Sequence, residues 1–76
     1  MYTIHVTNID GAAKAPELMD LFRVFGEVKR VVVVDGVDPR FALVHMTHEY
    51  EAQAAVIATD GYPVFERPLK VEAYFD

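Results

Sequence analysis

At 76 residues, 53% hydrophobic and 25% charged, the chain has the length and composition of one small globular domain and does not read as disordered. It contains no Cys, which excludes a disulfide framework, thiol catalysis and a cysteine zinc site, and no apolar run approaches the roughly 20 residues of a membrane span. A formal net charge of −5 weighs against strong nonspecific attraction to nucleic acid, because that attraction comes from Lys and Arg neutralising phosphates.

Tyr2 to Thr7 alternates with a period of two, Tyr2, Ile4 and Val6 on one face and Thr3, His5 and Thr7 on the other, as a half-buried strand does. Asn8 to Gly11 turns the chain. Pro16 suits the first turn of a helix, and Glu17 and Asp20 suit its positive end. Leu18, Leu21, Phe22 and Phe25 are spaced i, i+3, i+4 and i+7, which predicts one apolar stripe, with Gly26 as the stop.

Val31 to Val34 is β-branched throughout and closes on Asp35-Gly36, a turn signal. If Val31 and Val33 face the core, Val32 and Val34 face away from it. The next strand, Arg40 to Met46, is apolar on both sides: Ala42, Val44 and Met46 on one, Phe41, Leu43 and His45 on the other. Its second apolar face calls for a partner. His48 to Thr59 reads as a second helix with Ala52, Ala55, Val56 and Tyr50 in its stripe and Asp60-Gly61 as its stop. Tyr62 to Pro68 reads as a connector, with Tyr62 and Phe65 expected to pack over the second helix. In the last strand, Leu69, Val71 and Ala73 alternate with Lys70, Glu72 and Tyr74.

Strand, helix, strand, strand, helix, strand predicts an α+β, ferredoxin-like fold: a four-stranded antiparallel sheet with two helices on one face and the other face open. The whole chain, 1–76, forms a single domain in this reading. Its start and end, so close to the first and last strands, suggest one excised from a longer protein.

These residues resemble the RNA recognition motif family over nearly the whole chain. Ile4-His5-Val6-Thr7-Asn8-Ile9 is similar to the hexapeptide of the family's first strand, and Pro39 to Met46 to the octapeptide of its third. Phe25-Gly26-Glu27-Val28, Asp60-Gly61 and Arg67-Pro68-Leu69-Lys70-Val71 add matches in the same order. The resemblance implies single-stranded RNA binding on the open face, in RNA processing, editing or stability. It carries base stacking to His5 and Phe41 and apolar contact to Leu43, with Val32 and Val34 beside them and Arg40, Lys70 and Tyr74 flanking. Where the octapeptide opens with a basic residue and Gly, this chain has Pro39 and Arg40, and where the family has Gly before Arg67 it has Glu66.

Other readings compete. Val32, Val34, Leu43 and Tyr74 form a candidate self-association patch, and the helices offer a second surface for a protein partner. A subclass of the family binds tryptophan-bearing peptides between its helices through an Arg-x-Phe loop. The matching place here is Arg67-Pro68-Leu69, without the Phe. His45, His48 and Glu49 look superficially like metal ligands, yet they divide between the end of a strand and the start of a helix. With no nucleophile elbow and no Gly-rich phosphate loop, the chain reads as a non-enzyme with no metal, no cofactor and no membrane association. An intracellular location is expected, whether nucleus, cytoplasm or organelle.

Overall fold

The computed structural model describes residues 1–75; Asp76, the last residue of the expected domain, lies outside them. Strand β1 (Tyr2–Thr7) leads to helix α1 (Ala15–Phe22), which tightens into a short 3-10 turn, Arg23–Phe25. Strands β2 (Val28–Val34) and β3 (Phe41–Met46) precede helix α2 (Glu49–Thr59). Two short strands, β4 (Pro63–Val64) and β5 (Arg67–Pro68), form a separate ribbon before β6 (Lys70–Tyr74) closes the main sheet. The sheet is antiparallel with order β2-β3-β1-β6, so β1 and β3 are the inner strands. This is the ferredoxin-like arrangement expected from the element order.

One face of the sheet is buried. Ile4, Val6, Ala42, Val44, Met46 and Val71 meet Leu18 and Phe22 of α1 and Ala52 and Ala55 of α2. Leu21 and Phe25 pack at the margin, completing the stripe that the i, i+3, i+4, i+7 spacing predicts. Ala52 and Ala55 are fully buried, and their small side chains let α2 lie close on the sheet. Thr59 is buried as well; its hydroxyl donates to the Ala55 carbonyl at 2.7 Å, which satisfies the polar group where an aliphatic side chain would otherwise sit.

The start of α1 is satisfied locally. The Lys14 backbone N–H donates to Glu17 Oε1 at 2.6 Å, and Pro16 occupies the first turn. Past the 3-10 turn, Gly26 has φ 155 and passes so close to α2 that a Cβ there would run into the Glu51 side chain. The Glu51 carboxylate accepts the Glu27 N–H at 3.1 Å, fixing the entry into β2.

Two expectations are corrected. Tyr50 is 84% exposed and is no part of the buried stripe of α2: two residues before Ala52 on a helix of 3.6 residues per turn, it lies on the opposite side. The connector is a ribbon rather than a cover for α2: residues 63–68 form β4 and β5, and Tyr62 and Phe65 are about half exposed, Tyr62 lining a groove beside Ala58 and Thr59 of α2. Phe65 and Glu66 are at the ribbon's tip with φ 51 and 65, the left-handed conformation of a tight hairpin turn. Gly61 N–H to the Leu69 carbonyl at 2.8 Å and Leu69 N–H to the Tyr62 carbonyl at 3.0 Å tie the ribbon to the start of β6.

Candidate nucleic-acid interface

Register fixes which side chains share the open face. Val32, Leu43, His5 and Glu72 stand opposite one another across β2, β3, β1 and β6. Toward one end of the sheet, Val34 faces Phe41 and Thr7 faces Lys70; toward the other, Arg30, His45, Thr3 and Tyr74 line up. Val32 and Val34 therefore come out beside Leu43 and Phe41, as the run of four valines predicts. Both helices lie behind the sheet and leave this face uncovered.

The structure brings together three rings that the sequence offers separately. The His5 ring lies 5.3 Å from Phe41, tilted by 40°, and 4.9 Å from Tyr74 in a stacked arrangement at 16°. Phe41, His5 and Tyr74 thus form one continuous strip across β3, β1 and β6. His5 Nδ1 is sealed beneath its neighbours and makes no hydrogen bond among the described residues. His45 is engaged, its Nδ1 3.1 Å from the Thr3 hydroxyl, and His48 lies at the start of α2 with Nε2 3.7 Å from Glu27. Among the described residues no group of three or more His, Cys, Asp or Glu side chains is placed to hold a metal ion.

Arg40 is placed differently from a flanking cation that projects into solvent. Its Nε donates to Asp35, Nη1 donates to the Asp10 carbonyl at 3.0 Å, and Nη2 donates to the Ala13 carbonyl at 2.8 Å. The side chain is only 16% exposed. One guanidinium therefore straps the loop after β1 to the turn between β2 and β3, and its hydrogen bond holds the Asp35 carboxyl below its ordinary range. Buried Ile9 and Ala13 anchor the same loop.

Next to Lys70, at the Phe41 end of the sheet, is an open depression of 730 Å³ between the β2–β3 turn and the ribbon. Arg40, Arg67 and Lys70 line it together with Asp38 and Glu72. Asn8 joins β1 to the ribbon there. Its side-chain amide donates to the Pro68 carbonyl at 2.6 Å, and its Oδ1 accepts from Arg67 Nε at 3.0 Å. Asn8 has φ 58, a backbone that Asn tolerates better than most residues, so the motif Asn has both a conformational and a bonding reason. Sequence reading singled out neither Arg67 nor Glu72 as a site residue; the outward alternation of β6 was the available signal for Glu72.

The family model described as RNA recognition motif matches residues 4–70. The chain belongs to the RNA recognition motif family. A curated relative, a probable arginine/serine-rich splicing factor 3 of Caenorhabditis elegans, is 35% identical over 69 residues, 91% of this chain. The chain spans only 27% of that relative's length. Among solved structures, the Pes4 RRM3 domain superposes with a TM-score of 0.90 at 17% identity, covering 100% of this chain and 94% of that one. The RNA-binding protein PG1 gives 0.87 at 24% identity over 100% and 96%. The two RNA recognition domains of Drosophila melanogaster Sex-lethal give 0.87 at 24% identity over 100% of this chain and 51% of that one. At these identities the structural likeness establishes the shared fold of the RNA recognition motif. No helix among the described residues is long and apolar enough to cross a membrane.

Proposed function

We propose that this RNA recognition motif binds a short single strand of RNA, two to four nucleotides long, on its open sheet face. The observation that carries the reading is the Phe41–His5–Tyr74 strip, in which the His5 ring contacts both of the others on the uncovered side of the sheet. Unstacked bases lie on such rings without needing a particular sequence, each stack contributing about 1–3 kcal/mol. Leu43, Val32 and Val34 supply apolar contact around the strip.

In this reading Arg40 acts first as a positioning residue, because three of its five N–H donors go to Asp35 and to two loop carbonyls. Phosphate attraction falls to Lys70 and Arg67 at one end of the face and Arg30 at the other. With so few cations, affinity rests on stacking and is modest, and no catalytic step or cofactor is involved. The likeness to a probable splicing factor supports a role in RNA processing as one part of a longer chain.

A second reading is favoured by the other side of the molecule. A 540 Å³ groove between α1, the 3-10 turn, the end of α2 and the ribbon is lined by Leu21, Val24, Phe25, Tyr62 and Val64, together with the acidic Glu17 and Asp20. Val24 is 79% exposed there, an apolar side chain suited to a protein partner. Titration with short homopolymer RNAs, followed by backbone amide shifts, separates the two. Shifts centred on His5, Phe41 and Tyr74 support RNA binding; an indifferent sheet, with shifts at the groove on adding peptide, supports protein docking.

A further inference from the structure

We propose that Glu72 makes the sheet face selective for guanine at the place where a base rests against the His5–Tyr74 pair. The proposal rests on the RNA-binding reading above and assigns that site a base preference.

Among the outward-facing positions defined by the strand register, Glu72 alone is acidic. It stands directly opposite His5, two residues before Tyr74 on the same strand face. Its side chain is exposed and forms no hydrogen bond or ion pair among the described residues, although Lys70 lies two residues before it. Opposed side chains on neighbouring antiparallel strands have Cβ atoms about 5 Å apart, so a base laid against His5 presents an edge within reach of the Glu72 carboxylate.

A carboxylate on a face that meets RNA repels the phosphates and weakens binding to any sequence. That repulsion is offset only where the carboxylate reads a base edge. An ionised carboxylate accepts hydrogen bonds and donates none, and its two oxygens match a pair of adjacent parallel donors. Guanine's Watson–Crick edge offers such a pair in N1–H and the N2 amino group. Adenine and cytosine each offer one amino donor beside a ring-nitrogen lone pair that repels the second oxygen. Uracil offers N3–H between two carbonyl oxygens, both repulsive. The order of preference is guanine, then adenine and cytosine, then uracil.

The test compares short uridine oligomers with the same oligomers carrying a single guanine, adenine or cytosine, for the wild type, Glu72→Gln and Lys70→Gln. The wild type prefers the guanine oligomer over all-uridine by about tenfold or more, the discrimination of a good bidentate pair. Glu72→Gln binds the all-uridine oligomer more tightly at low salt while the guanine preference collapses to severalfold or less. Lys70→Gln weakens all of them together and keeps the order. Glu72→Gln tightening every oligomer by one factor, with the preference intact, reduces Glu72 to a bare charge and overturns the proposal, as does a wild type without guanine preference. A wild type that binds none of the oligomers overturns the RNA-binding reading itself, and this proposal with it.

Discussion

Removing the Phe41 ring is the most direct probe of the open face. Phe41 is half-buried on an inner strand, 5.3 Å from the His5 ring and opposite Val34, while its backbone pairing in β3 does not depend on the side chain. Truncation to Ala removes one stacking platform, a loss of about 1–3 kcal/mol, which corresponds to about 5- to 150-fold in Kd. The same change also strips apolar cover from the sheet. Because Phe41 is not fully enclosed, that destabilisation is about 1–2 kcal/mol, below the 3–5 kcal/mol of a completely buried Phe, and a domain stable by about 5 kcal/mol or more stays folded. Phe41→Leu separates the two effects: it keeps most of the apolar bulk and lacks a π face. Thermal unfolding and fluorescence anisotropy with a labelled oligonucleotide, run on both variants, should show Leu recovering most of the stability and little of the affinity. If Leu restores both, Phe41 acts only as apolar bulk and the stacking argument fails. If the Ala variant binds as the wild type does, Phe41 is outside the site.

His5→Phe should raise the melting temperature and tighten RNA binding, because it removes a buried nitrogen without a partner, a defect of about 1–3 kcal/mol, and keeps a ring for stacking; a lower melting temperature would show that Nδ1 is satisfied. Arg40→Gln should release the loop at residues 10–13 and speed its amide exchange, while RNA affinity falls by less than in Phe41→Ala. In the wild type the Asp35 carboxyl should titrate below 3.8 and move up in Arg40→Gln, as read by carboxyl carbon shifts. The sign follows: a folded-state pKa held below the unfolded one makes the Asp35–Arg40 contact stabilising above pH 3.8, and that contribution is lost as pH falls through the folded value. Finally, RNA affinity should fall only gently with salt. With about three phosphate contacts, from Lys70, Arg67 and Arg30, the logarithmic slope is about −2.1, and a slope several times steeper would mean that charge, not stacking, dominates.

The order of elements was legible because each has its own period. The alternation in Tyr2 to Thr7, the i, i+3, i+4, i+7 set from Leu18 to Phe25 and the β-branched run at Val31 to Val34 admit few other readings. The two-sided apolar character of β3 located the open face, and the register then put Val32 and Val34 beside Leu43 and Phe41. What could not be read are the contacts that loops make after the chain has folded. The sequence marks Arg40 as a cation at the edge of the face but gives no sign that the loop after β1 brings two carbonyls to it. Asn8 and Arg67 are far apart in sequence and meet only when the ribbon folds over the end of β1. Ile9 and Ala13 are buried without any periodicity to mark them, and Pro63 and Pro68 disguise a ribbon as a featureless connector. The side of α2 that Tyr50 takes is not legible either, because a helix whose apolar residues are spread around its circumference gives no clear phase.

The strand order has one more consequence. His5 and Phe41 stand on β1 and β3, each held by a neighbour along both edges, so the centre of the proposed recognition surface cannot loosen without dismantling the domain. On that proposal, any accommodation of different ligands falls to the periphery: the turn after β2, the β4–β5 ribbon and the outer strand that carries Glu72 and Tyr74. Such a molecule keeps a durable middle and varies its taste at the rim.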